Sequence, residues 1–222
     1  MLSDIALFFI ISSGSVYASA VSGKRFEEVL PLTVFSLILV HFLSGVTGFL
    51  RQGTYIAISV SILLYLVALI TCVQKRTFRF FLKSFLTPGF AVFSVIFVII
   101  TVYNYGRLAY IWDEFSHWAD VVKSMYTIND LSTNPSANAA FASYPPAMSL
   151  FQYFFQNLNR IVSGNRVFEE WRLYSAYQLA AYSLLLPFLR NTRWGAHGAI
   201  FLKGSVVFVL PAVFLASTPE SM

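Results

Sequence analysis

Six runs of apolar residues, each close to the roughly 20 residues of helix that cross about 30 Å of hydrocarbon, dominate this chain of 222 residues. They fall at 5–21, 29–50, 55–73, 88–105, 172–189 and 199–216. A water-soluble helix or strand must mix polar residues into its apolar ones at its own period, so that one face stays wet. These runs do not. The composition agrees, since only 11% of the residues are charged against about 25% in an ordinary soluble domain. Within hydrocarbon a segment of this length satisfies its backbone only as a helix. The expected fold is therefore all-α, a polytopic transmembrane helix bundle of about six spans, with one long extracytoplasmic loop that contains juxtamembrane helices.

The first run carries Asp4 and no Lys or Arg before it, although Ala18-Ser19-Ala20 resembles a cleavage site; a signal peptide begins basic, so the run reads as a retained helix. Short-loop cations orient the bundle. Lys24 and Arg25, then Lys75, Arg76, Arg79 and Lys83, then Arg190 and Arg193 lie on one side, against Arg51 alone on the other. The first side is expected to be cytoplasmic and the N-terminus outside, in a multi-pass protein of the cell membrane. The net charge of +5 is thus a topology signal, and no nucleic-acid partner is expected. Cys72, the single cysteine, lies in an apolar run and reads as a packing residue. His41 lies within the second run, where an ionisable group is a functional candidate by default; packing against a helix or a backbone carbonyl is its other reading. His197 is assigned no role.

The long segment 106–171 falls outside the cytoplasm and holds six of the ten acidic residues. Tyr103, Tyr105, Tyr110 and Trp112 form an aromatic cluster of the kind that settles among lipid headgroups. At 100° per residue, the stretch from Asp113 to Tyr126 sorts into two faces. Asp113, Ser116, His117, Asp120, Lys123 and Ser124 lie on one, with Phe115, Trp118, Ala119, Val122 and Tyr126 on the other. The expectation is an amphipathic helix in the interface. Asp113 and His117 are one turn apart, so the carboxylate orients the imidazole or shares a proton with it. Burial against the bundle would suit the acid to general-base work on a hydroxyl. Two carboxylates, with Glu114, and one His are too few ligands to name a metal; a divalent cation is the one cofactor left open.

Segment 127–143 is small and polar without period, a lid or a connector. Tyr144, Pro145 and Pro146 then open an aromatic helix that ends near Gly164, because proline suits a first helical turn. Tyr144 and the rigid pair are expected to form a wall of the site. Arg107, Lys123, Arg160, Arg166 and Arg172 are the cations available to hold an anion, and each could equally anchor a helix at the headgroups.

This arrangement resembles the GT-C superfamily of membrane glycosyltransferases, in its protein-mannosyltransferase-like branch. Asp113-Glu114 with His117-Trp118 is similar to that family's acidic motif at the start of its first external loop, and Tyr144-Pro145-Pro146 to its second element. The likeness covers about 88–189 and divides the chain into an N-terminal three-helix membrane region, 1–87, and a GT-C-like region, 88–222, with the catalytic-type loop at 106–171. It implies transfer of a sugar, with inversion, from a polyprenyl-phosphate carrier to an extracytoplasmic acceptor on lipid, polysaccharide or protein. Asp113 would be the catalytic base and Glu114 would assist acceptor or cation binding, while His117 rests on helix geometry alone. Tyr144, Pro145, Pro146, Lys123, Arg107 and Arg166 are the substrate-binding candidates. Family members begin with the outward-going helix and carry more spans after the loop, so the chain reads as truncated at its C-terminus. Two other readings stand beside this one. The first is a non-enzymatic membrane protein, a transporter subunit or scaffold, that binds through its loop. The second is a hydrolase or acyltransferase using Asp113 and His117 with Ser116 or Ser124, neither of which has the glycine-flanked elbow such nucleophiles often show.

Overall fold

The computed structural model describes residues 2–110, 112–142 and 145–216. Among these residues it is all-helical, without a strand. In chain order the helices are α1 (Leu2–Ser22), α2 (Phe26–Val46), α3 (Leu50–Gln74), α4 (Phe78–Phe85), α5 (Pro88–Asn104), α6 (Ala119–Ile128), α7 (Ala147–Ser163), α8 (Trp171–Leu185) and α9 (His197–Ala216). A π-helical turn, Glu114–Trp118, leads into α6, and a 3₁₀ turn, Leu186–Leu189, follows α8.

Three helices, α1, α2 and α3, are long and apolar enough to cross a membrane, and α4 with α5, bent by 55° between them, makes a fourth candidate. The chain is a membrane protein on that ground. Local chemistry sets the helix ends. α2 starts at Phe26, three residues earlier than the apolar run, because Glu27 and Glu28 favour a helix N-terminus and the Glu28 carboxylate accepts the Arg25 N–H at 3.0 Å. It ends where Gly48 takes a positive φ of 75° and the Phe49 N–H turns back to the Ser44 carbonyl at 2.7 Å. α3 begins at once, so Arg51 stands in a helical first turn rather than in a loop. The cations from Lys75 to Lys83 do not share one loop either, because Arg79 and Lys83 lie on α4. The Thr87 hydroxyl accepts the Phe90 N–H at 3.1 Å and Pro88 occupies the first helical position, which together start α5.

The chain forms two compact units. One comprises Met1–Ile10, Phe35–Ile62 and Thr101–Tyr177; the other comprises Ile11–Val34, Leu63–Ile100 and Gln178–Met222. The core of the first gathers Leu50, Val122, Met125, Leu150, Tyr153 and Leu173, with α6 packed along α7. In the second, Phe26 is fully buried among the rings of Phe85, Phe90 and Phe93, at centroid distances of 5.6, 5.1 and 5.5 Å. Glu27 is buried beside it and accepts hydrogen bonds from the Thr87 hydroxyl at 2.5 Å and Arg25 Nε at 2.6 Å. A Cβ at Gly14 would overlap Thr33 Oγ1, so the glycine lets α1 and α2 approach closely in this unit.

Candidate functional site

The first unit carries the acidic segment. α5 ends at the buried Asn104, Gly106 turns with a φ of 76°, and the Arg107 N–H closes on the Asn104 carbonyl at 2.9 Å. The chain then runs without regular secondary structure to Tyr110, held by two carboxylates. Glu170 accepts the Ala109 N–H at 2.6 Å, and Glu114 accepts the Tyr110 N–H at 3.4 Å. Glu114 also accepts the Tyr174 hydroxyl at 2.7 Å, and the Arg107 guanidinium lies 4.1 Å from the centre of the Tyr174 ring. Arg107, Tyr174 and Glu114 are one connected group.

Asp113 precedes the π-helical turn. Its carboxylate stands 3.8 Å from His117 Nδ1, an ion-pair distance too long for a hydrogen bond. The Asp113 side chain is 69% exposed and that of His117 only 20%. Burial of Asp113, the premise of the general-base argument, is therefore not met; its carboxylate is open to solvent. His117 is covered by Phe141, whose ring centroid lies 3.7 Å from its own. Segment 129–142 holds this ring in place through its own hydrogen bonds. Asp130 accepts the Leu131 N–H at 2.7 Å and Asn134 Nδ2 at 2.6 Å, and the Ser132 hydroxyl donates to the Ala142 carbonyl at 3.1 Å.

The two-faced projection holds only for α6. Ala119, Val122 and Tyr126 are buried as expected, joined by Val121 and Met125, but Phe115 and Trp118 are exposed. The cause is the π turn: with about one residue more per turn than an α-helix, it rotates everything before it out of register.

Of the other candidates, Lys123 is exposed on α6 and Arg166 is exposed between α7 and α8, its carbonyl accepting the Tyr126 hydroxyl at 3.3 Å. Neither makes a hydrogen bond or ion pair with Asp113, Glu114 or His117 among the described residues. Pro146 sits at the start of α7, where its carbonyl accepts the Leu150 N–H at 2.8 Å, and Pro145 beside it is exposed. Tyr144 lies outside the described residues. No group of three or more His, Cys, Asp and Glu side chains that could hold a metal occurs among the described residues.

His41 is fully buried within the same unit. Asn157 Nδ2 donates to Thr54 Oγ1 at 2.9 Å, which directs the Thr54 proton to His41 Nε2 at 3.1 Å and leaves Nδ1–H to donate to the Leu37 carbonyl at 2.7 Å. This is the helix-packing reading of His41, with its partners now identified.

Sequence reasoning missed Tyr174, Phe141 and the setting of Arg172. That guanidinium is buried and donates to Glu169 at 2.5 Å, Asp4 at 2.7 Å, Ser3 at 3.1 Å and Asn159 at 3.1 Å. It is thus a structural cation rather than an anion ligand. No local signal marks Tyr174, because its partner Glu114 lies 60 positions earlier in the chain.

No known protein family matches the chain, and no similar protein was found among curated proteins or among solved structures. The fold defines a class, an all-helical membrane protein with three or four apolar helices of spanning length among the described residues.

Proposed function

We propose that the protein is a membrane glycosyltransferase that moves a sugar from a polyprenyl-phosphate carrier to the hydroxyl of a lipid, polysaccharide or protein acceptor. In this reading α8 and α9 complete six spans, the basic loops face the cytoplasm, and the acidic segment works outside it. The observation that carries the proposal is the accessibility of Asp113, which an acceptor hydroxyl can reach although the burial expected of it is absent. This residue is an open carboxylate one turn from His117, next to the Tyr174-bound Glu114, and it follows an apolar helix whose exit is ringed by the exposed Tyr103, Tyr105, Tyr110 and Trp112. Asp113 takes the proton of the acceptor hydroxyl as that oxygen attacks the anomeric carbon, and the bond to the carrier phosphate breaks with inversion. Glu114 holds the acceptor side in place. Of the cations expected to meet the leaving phosphate, Arg107 is the one joined to the acidic pair, through Tyr174.

Membranes carrying the protein, supplied with radiolabelled polyprenyl-phosphate sugars, are expected to transfer label to acceptor. Asp113→Asn should reduce transfer by at least about a hundredfold, the scale of a lost general base, while still inserting normally. Equal transfer by both forms refutes the assignment of the base. The same exposed aromatics also suit a second reading, a non-enzymatic transporter subunit or scaffold that binds through this segment. Retention of the lipid-linked sugar without transfer would favour it.

A further inference from the structure

The second unit holds nine of the chain's 15 Lys and Arg, and its acids among the described residues are Glu27 and Glu28. Both acids are engaged, Glu27 by Arg25 and Thr87, Glu28 by the Arg25 N–H and by Arg190 at 3.6 Å. Among the described residues of their own unit, the cations around α4 therefore have no carboxylate left to neutralise them. Lys75, Arg76, Arg79 and Lys83 are all exposed, and none of their side chains forms a hydrogen bond or ion pair among the described residues.

α4 has two faces. Phe81 and Phe85, stacked at 5.5 Å, pack onto Val16, Ala20, Ala68 and Cys72 from α1 and α3. Arg79 and Lys83 occupy the other; Phe78, on the same side as Phe81 but at the open start of the helix, and Phe80, whose ring tip lies over Gly23, are each more than half exposed. Just past its end, Trp194 Nε1 donates to the Leu86 carbonyl at 2.9 Å while its ring stays exposed. The helix diverges by 55° from the apolar α5, so it leaves the direction of the span where the span ends. Exposed rings interleaved with unpaired cations, on a helix angled off a membrane span, fit the boundary between acyl chains and anionic headgroups.

We propose that α4 is an in-plane anchor that binds anionic phospholipid. Lys75, Arg79 and Lys83 engage headgroup phosphates, and Phe78 and Phe80 enter the acyl region beneath them. The proposal does not depend on glycosyl transfer. It is tested on the full chain in nanodiscs of phosphatidylcholine with and without phosphatidylglycerol, by measuring the phosphatidylglycerol that co-purifies. Wild type is expected to enrich the anionic lipid, and the triple variant Lys75→Gln/Arg79→Gln/Lys83→Gln to lose that enrichment on the order of a hundredfold, since each cation near an anionic surface contributes about fivefold. Lys75→Arg/Lys83→Arg should keep it. Equal enrichment in wild type and triple variant overturns the proposal, as does no preference of wild type for the anionic lipid. Should the triple variant not fold, wild type alone decides: high salt must strip the anionic lipid, and retention at high salt refutes the site. Displacement by millimolar inorganic phosphate would show a phosphate site and overturn the assignment to lipid.

Discussion

Replacing Arg172 with Met tests whether the buried polar cluster at the start of α8 holds the first unit together. The guanidinium gives four hydrogen bonds, to Glu169, Asp4, Ser3 and Asn159, and lies 4.2 Å from the centre of the Trp171 ring. Its side chain is 4% exposed, against 12% for Asp4 and 25% for Glu169. Methionine fills much of the volume, so the main loss is charge: two carboxylates stay behind in one pocket without their cation. Breaking a buried pair from one side costs about 3–5 kcal/mol. Water reaches Glu169, and Asn159 Nδ2 still donates to it at 3.1 Å, so the lower end, about 3 kcal/mol, applies. At roughly 2–4 °C per kcal/mol for a chain of this size, the melting temperature in detergent should fall by about 6–12 °C. Adding Asp4→Asn to Arg172→Met should recover part of the loss, because it removes one stranded charge, whereas Asp4→Asn alone should destabilise. A fall of less than about 2 °C, or simple additivity of the two substitutions, would show that the cluster is a bystander.

Tyr174→Phe removes the hydroxyl that Glu114 accepts and should cost about 1.5–3 kcal/mol, the worth of a hydrogen bond to a charged group, seen as a lower melting temperature with the protein still membrane-inserted. Burial holds the phenols of Tyr126 and Tyr153 above the usual tyrosine range, opposed in part by Arg160. Because the folded form favours the neutral phenol, this contribution to stability is complete below pH ~10 and is lost as the pH rises beyond it. Phenolate absorbance should therefore show at least these two tyrosines titrating late in the folded protein, one fewer in Tyr153→Phe, and all in the ordinary range after denaturation.

The apolar runs made α1, α2, α3 and α5 legible, because hydrocarbon leaves the backbone no other choice and the run length is the span length. What the runs could not show was set by partners. α4 reads as a cationic loop when only its charges are counted; its Phe78, Phe81 and Phe85 follow a helical period, but that signal becomes visible only if aromatics and cations are read as two faces of one element. α7 is conspicuous for its rings, yet Gln152, Gln156, Asn159 and Ser163 follow the same period. They serve the chain that precedes and opens α8: Gln156 Nε2 donates to the Glu169 carbonyl at 2.7 Å and Gln152 Nε2 to the Leu173 carbonyl at 3.1 Å. Asp4 and Arg172 are 168 positions apart, and nothing local to either names the other.

The candidate site shows the same limit more sharply. Adjacency in sequence suggests that Asp113 and Glu114 act as a pair, but consecutive residues on a helix point about 100° apart. That rotation separates their fates. Glu114 turns toward α8 and is consumed by Tyr174 and the Tyr110 N–H; Asp113 turns to solvent with His117 as its neighbour. One carboxylate is bound into the fold and the other is left open: among the described residues Glu114 accepts two hydrogen bonds, and Asp113 has only His117 at 3.8 Å. Helical geometry thus gives two carboxylates that are adjacent in sequence different surroundings, just where the chain enters the π turn.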